Sequence, residues 1–258
     1  MMKKKVLFTA GSALFVFVLM FLLVACGTSA ATSDNQASGT SDSQADASSG
    51  SQATGTPDAM SQLAEARAGD VVHLGEVSFT DYRGVQFKDD IGWRVLAVEG
   101  DRVLLISENV IDLRPYNTER VDITWEQCDL RSWLNGAFYD GLPNGMRDCA
   151  GQTAMDMDGK VFLLSTDEAE RYFSSDEDRQ AGVDLTAEAI RGYNDTFNTD
   201  LEAIVRDWGG FAWWLRSSDS AAGSAAVVDS GGRVGYGSIA LFGDNVLIGV
   251  RPAIWLNL

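Results

Sequence analysis

Histidine, lysine and cysteine are all scarce in this 258-residue chain, and each scarcity excludes something. The single histidine, His73, removes Ser-His-Asp and Cys-His nucleophile systems unless it is itself the base, and its place in an opening apolar segment reads as a strand edge. The three cysteines, Cys26, Cys128 and Cys149, lie far from one another and from His73, so none has the spacing of a zinc ligand set. Beyond Lys3, Lys4 and Lys5 only Lys88 and Lys160 remain, and arginine supplies the rest of the basic charge. With 20 Lys+Arg against 37 Asp+Glu the net charge is −17, which repels nucleic acid and anionic lipid head groups and argues against both as partners. Residues 27–59 contain no aromatic residue and no Leu, Ile, Val or Met, so they cannot build a core.

What is present begins with an uncharged run from Val6 to Ala25, directly after the three lysines and closing on Leu23-Val24-Ala25-Cys26. About 20 apolar residues would also suffice for an uncleaved transmembrane helix. Small residues before Cys26, and the lack of any other cysteine before Cys128, favour a bacterial lipoprotein signal instead. On that reading residues 1–25 are a signal peptide and Cys26 is lipidated. The chain is then extracytoplasmic and bound to the cell membrane, with acyl chains contributing about 0.8 kcal/mol per buried CH₂. The mature chain would carry a net charge of about −20. Residues 26–59 form a disordered tether with a root-mean-square span on the order of 30 Å. In an oxidising setting Cys128 and Cys149 could close a loop of about 20 residues, worth about 3 kcal/mol as a disulfide. Spacing alone leaves a bond and two separate buried thiols equally open.

Residues 60–258 hold all seven tryptophans and are expected to form the globular domain. Met60–Ala68 reads as a short helix leading into strand candidates at Val71–Phe79, Gly92–Val98 and Arg102–Ser107, the last two turning at Gly100-Asp101. A helix is expected from Thr124, with Gln127 completing a capping box and an apolar stripe at Leu130, Trp133, Leu134, Ala137 and Phe138. Lys160–Ser165 reads as a strand, and Thr166 as the cap of the next helix. Ala187–Trp208 has helical spacing split near Asn198-Thr199-Asp200, with Thr199 and Glu202 as a second capping box. Strands return at Ala212–Arg216, Ala225–Asp229, Arg233–Tyr236 and Val246–Trp255, with Gly231-Gly232 as a hairpin turn. Strands first, helices in the middle and strands last predict a single α+β domain, its sheet mixed but largely antiparallel, with N- and C-terminal strands together.

Four segments couple tryptophan to arginine: Trp93-Arg94-Val95-Leu96; Thr124 to Asn135; Trp213-Trp214-Leu215-Arg216-Ser217; and Gly249 to Leu256 around Arg251-Pro252. In this order they resemble a family of bacterial secreted and lipid-anchored proteins catalogued as domain of unknown function 6273, over roughly residues 70 to 258. The family often has Pro-Gly after W-W-L-R-S, where this chain has Ser218-Asp219. More distantly, W-W-L-R-S followed by a terminal G-V-R-P is similar to the end of C-type-lectin-like folds, including the sulfatase-modifying group. That likeness implies a fold and no activity. The late cysteines of the sulfatase-modifying enzymes have no counterpart here, since Cys128 and Cys149 both precede residue 150.

Such Trp-Arg pairs either fix loops over the core or present indoles for sugar stacking beside hydrogen-bonding arginine and aspartate. The first is favoured for most of them. If one segment is a site it is the late one, because adjacent strand residues face opposite ways and one indole of Trp213-Trp214 would then be free. The candidate ligand-binding residues are therefore Trp213, Trp214, Arg216, Asp219 and Arg251. Asp156-Met157-Asp158-Gly159 does not fit an EF-hand frame, and calcium among the loop acids Asp219, Asp229 and Asp244 has no supporting spacing, so no cofactor is expected. The pair Asp176 and Asp178 reads as solvated rather than catalytic. The leading expectation is a non-catalytic extracytoplasmic binding module whose partner is a glycan or a protein. An envelope-acting enzyme and a structural envelope protein are the alternatives.

Overall fold

Gly92 to Ser107 folds into the expected hairpin, because two apolar segments flank Gly100, which adopts the left-handed backbone (φ 65°) that turns the chain. This hairpin lies near the middle of a computed structural model that describes residues 56–119, 121–150, 159–218, 224–235 and 248–258. The described elements, in chain order, begin with α1 (Thr56–Glu65), β1 (Val71–His73), β2 (Val77–Thr80), β3 (Gln86–Asp89), β4 (Gly92–Glu99), β5 (Arg102–Ser107) and β6 (Asp112–Arg114). A 3-10 turn (Trp125–Gln127) leads to α2 (Asp129–Trp133), which continues as a π turn (Leu134–Phe138), and then come α3 (Asn144–Cys149) and β7 (Val161–Phe162). The remainder is α4 (Thr166–Tyr172), α5 (Asp176–Arg179), α6 (Ala187–Phe197), α7 (Leu201–Trp208), β8 (Trp213–Ser218), β9 (Ala225–Val228), β10 (Ile248–Val250) and β11 (Ala253–Asn257). All of them belong to one compact unit.

The architecture is α+β. The first sheet runs β1-β4-β5-β11-β7 and is antiparallel throughout, so early and late strands share it as expected. Five consecutive residues of β5 are buried, which a strand covered on both faces requires and which explains its continuous apolar run. A second sheet runs β6-β10-β8-β9, with β10 parallel to β8 and the other pairs antiparallel. β2 and β3 form a separate hairpin.

The expected single strand over Val246–Trp255, whose first two residues lie outside the described ones, is from Ile248 onward two strands, β10 and β11, which belong to different sheets. The chain changes sheet at Arg251-Pro252, where proline has no N–H to continue a ladder. Close approach of the segments that lead into β6 and β8 sets the identity of Gly249: a Cβ there would fall 2.5 Å from a Val110 methyl and 2.9 Å from the Ala212 carbonyl. Val71–Phe79 likewise divides into β1 and β2. The short strands β3 and β6 carry no alternation long enough to read.

Helix starts differ from the expected caps by a residue or more. Thr124 makes no side-chain cap; the turn after it is 3-10, and α2 is capped by Cys128, whose sulfur accepts from the Arg131 amide at 3.4 Å. For α4 the cap is Ser165, with Glu168 completing the box, because Thr166 already has helical backbone. Asp200 rather than Thr199 caps α7, after Asn198 ends α6 in the left-handed region (φ 46°). α1 starts at Thr56, so the last four residues assigned to the tether are helical, with Pro57 in the first turn. Arg233–Tyr236 contributes only a bridge between Val234 and Val228, and Tyr236 lies outside the described residues.

Candidate functional site

Trp213 and Trp214 sit side by side on β8, and neither exposes any surface. Their rings lie on opposite faces, as adjacent strand residues must, but both faces are covered. Trp213 packs against Phe173 and the Arg251 guanidinium, 4.8 Å from its ring centre. Trp214 packs edge-on against Tyr116 at 5.5 Å and donates its indole N–H to the Arg114 carbonyl at 2.9 Å. The expectation of one free indole is corrected here. A buried indole removes roughly 150–250 Å² from water, about 4–6 kcal/mol, and the core claims both.

Arg251 is 1% exposed and, among the described residues, has no carboxylate directly on it. Among the described residues its guanidinium donates to three backbone carbonyls, those of Ser107 (3.1 Å), Glu108 (2.8 Å) and Arg179 (3.4 Å). Burial pushes it down to about 9, against the pull of the Glu108 charge, and it stays protonated at neutral pH. Glu108 is held by a two-pronged contact from Arg94 (2.6 Å to each oxygen), and Arg94 also reaches Asp178 at 2.8 Å. The Arg94 hydrogen bonds keep Glu108 below its ordinary range despite burial. Amide and hydroxyl donation from Ser174, with Arg94 beside it, does the same for Asp178. Two arginines and two carboxylates thus balance among β4, the residue after β5, α5 and the β10–β11 junction. Asp178 is a structural ion-pair partner, not the solvated acid expected.

Arg216 is buried along most of its length and pairs with Glu168, also donating to the Leu163 carbonyl at 2.7 Å. Burial raises Glu168, but donation from Arg216 and the Ser165 amide outweighs it and leaves the carboxyl low. The Thr166 amide meets the Ser217 hydroxyl at 3.0 Å. The late Trp-Arg motif therefore fastens the start of α4 at Arg216 and the end of α5 at Trp213.

What these residues hold up is a cleft. The Arg179 carbonyl accepts from the Trp213 indole N–H (3.2 Å) as well as from Arg251, so the end of α5 is fixed from below. Above, the Arg179 side chain pairs with Asp176 and donates Nε–H to the Gly232 carbonyl at 2.8 Å. Gly232 has φ 85° and lies so close to α5 that a Cβ would fall 1.7 Å from the Asp176 carbonyl, so its role exceeds that of a turn residue. Asp229 shapes the same turn by accepting from the Gly231 and Arg233 amides, each at 2.9 Å. The resulting cleft of about 420 Å³ is lined by Glu170, Asp176, Arg179, Arg233 and Val234. That is within the range of small-ligand sites.

Two smaller recesses are less suited to a ligand. One of about 190 Å³ is floored by the Arg94–Asp178 pair, whose charges are already matched. One of about 40 Å³ lies beside Trp133, whose face is covered by Arg114 at 3.8 Å.

Of the sequence-predicted ligand residues, Trp213 and Arg251 lie beneath the cleft, Trp214 and Arg216 brace neighbouring elements, and Asp219 falls outside the described residues, as does Cys26. Cys128 and Cys149 are free thiols, the first fully buried and the second partly so. The cleft residues carry no sequence pattern of their own. Gly231-Gly232-Arg233 was legible as a turn, but not its contact with Arg179.

Residues 100–258 match a family model described as Domain of unknown function (DUF6273). The match covers β5 to β11 and every cleft residue; the Trp93-Arg94 segment precedes it. No curated protein and no solved structure matches the chain.

Proposed function

We propose that this chain, which belongs to the DUF6273 family, is a binding module displayed outside the cell membrane by a lipid on Cys26, with the Arg179–Arg233 cleft as its ligand site. One observation carries the site: two buried members of the Trp-Arg pattern, Trp213 and Arg251, converge on the residue that forms the cleft wall. A wall fixed before the ligand arrives loses little freedom on binding. The lipid and tether are supported by the basic start, the apolar run and the Cys26 boundary. The likeness of the last two motifs to C-type-lectin-like folds belongs to the same proposal and brings no activity with it.

The test uses the full-length chain in detergent, applied to a glycan array and to peptidoglycan fragments, beside Arg233→Ala. That side chain is exposed, so the variant should keep its melting temperature. Ligand capture that is lost in Arg233→Ala supports the cleft. Capture unchanged in a folded Arg233→Ala, Glu170→Ala double variant refutes it. Metabolic labelling with a fatty acid tests the anchor: label should vanish in Cys26→Ser, and persistence would overturn that part.

A further inference from the structure

The cleft's charges are arranged unevenly. Arg179 is spoken for at Nε by the Gly232 carbonyl and at one Nη by Asp176, while its Nη1 has no hydrogen-bond partner among the described residues. Arg233 and Glu170 are exposed, and neither side chain has an ion-pair or hydrogen-bond partner among the described residues. The lining thus offers one unmatched guanidinium, one unmatched carboxylate and a spare donor on a rigid arginine, with Val234 as its apolar contact.

From this we infer that the cleft takes a small zwitterion, a free α-amino acid or a short peptide with both termini free, through Arg233 and Arg179 on its carboxylate and Glu170 on its ammonium. The inference rests on the cleft being the binding site and narrows its ligand class. Three physical points favour it. A guanidinium fork matches a carboxylate in geometry as well as charge. The described lining has no aromatic ring on which a neutral sugar would stack. The chain's net charge of −17 opposes the approach of simple anions, whereas a zwitterion of zero net charge meets no such long-range repulsion.

Calorimetric titration of the full-length chain in detergent with free amino acids and dipeptides, and with their N-acetylated and C-amidated forms, decides the matter. The expected result is binding of at least one free zwitterion, weakened at least about tenfold by either block. Arg233→Gln should abolish the sensitivity to amidation, and Glu170→Gln the sensitivity to acetylation, with melting temperatures unchanged. Equal binding of blocked and free forms overturns the inference, as does binding by none of these probes. If no zwitterion binds but a glycan is captured and lost in Arg233→Ala, the zwitterion is wrong and the cleft stands. Zwitterion binding that survives both glutamine variants removes the cleft as well.

Discussion

Trp213 and Arg251, 38 positions apart in sequence, donate to the same acceptor: the Arg179 carbonyl takes the indole N–H at 3.2 Å and the guanidinium at 3.4 Å. The guanidinium also lies over the indole ring, so the two side chains and the end of α5 form one unit. Because β8 and the β10–β11 junction supply them, the cleft wall is tied to both sheets at once.

Removing Arg251 should be among the costliest single changes. Arg251→Met keeps much of the volume but strips donors from the Ser107, Glu108 and Arg179 carbonyls; the last keeps the Trp213 N–H, and a buried carbonyl left without a donor costs about 1–3 kcal/mol. Arg251→Lys presents a point charge that cannot reproduce the planar fork and should restore only part of the loss. Urea denaturation, followed by tryptophan fluorescence, measures both; a loss below about 1 kcal/mol in Arg251→Met would contradict the assignment.

Trp213 separates packing from hydrogen bonding. Trp213→Phe retains a ring under Arg251 and loses the N–H to Arg179, for about 1–2 kcal/mol together with the smaller volume. Trp213→Ala opens a cavity and should cost about 3–5 kcal/mol. The same unfolding assay ranks them, and equal costs would show that the ring fills no tight space.

Asp112 should leave a signature in the pH dependence of stability. It is fully buried on β6, and desolvation, opposed by Arg114 and the Leu113 amide, raises it to about 7. Its folded value lies above its ordinary value of 3.8, so the folded state holds the proton more tightly between the two. That contribution is full below about pH 4 and is lost as pH rises through about 7. Glu108, Asp178 and Glu168 are held low and act oppositely: their contribution is present above the ordinary carboxylate range and lost as pH falls through their folded values. Unfolding free energy measured from pH 4 to 8 should therefore fall less steeply in Asp112→Asn than in the parent.

Glu168 serves α4 and β8 together, as the partner of the Ser165 amide and of Arg216. Glu168→Ala should cost about 1–3 kcal/mol. In a double-mutant cycle with Arg216→Ala the two losses should be clearly less than additive, because the pair shares one part-buried contact. Full additivity in urea melts would mean that the pair contributes nothing of its own.

The two late cysteines differ in reach. Cys128 is fully buried, its sulfur accepts from the Arg131 amide, and burial pushes the thiol up to about 11; Cys149 is partly exposed. A thiol-alkylating reagent applied to the native chain without reductant should label Cys149 and spare Cys128, and unfolding should expose both. Mass spectrometry after tryptic digestion reads the outcome, and a Cys128–Cys149 cross-linked peptide would contradict the two free thiols.

Local pattern made a good part of the fold legible. The β4–β5 hairpin was readable because its apolar runs flank a glycine turn, and the break between α6 and α7 because three polar residues interrupt a helical stripe. The buried stripe running from α2 into the π turn was readable at Leu130, Leu134 and Phe138 even though the cap of α2 was not. Strands of three or four residues such as β3 and β6 escaped, since so few positions cannot show a period. Caps moved by one residue where two adjacent polar side chains each had the chemistry of a cap, as at Ser165-Thr166 and Thr199-Asp200.

The site was hidden for a different reason. By itself the sequence determined the α+β class, the meeting of early and late strands in one sheet, and the pairing of tryptophan with arginine as the motif that matters. It did so because alternation, glycine turns and residue type are local properties. Whether an indole or a guanidinium faces solvent or core depends on what covers each face of its strand, and only the tertiary structure decided that. Burial of Trp213 and Arg251 on shared backbone acceptors turned the expected ligand residues into the support of the Arg179 wall. The cleft itself was assembled from α4, α5 and the Gly231-Gly232 turn, segments up to 64 positions apart, from Glu170 to Val234, that no spacing rule connects.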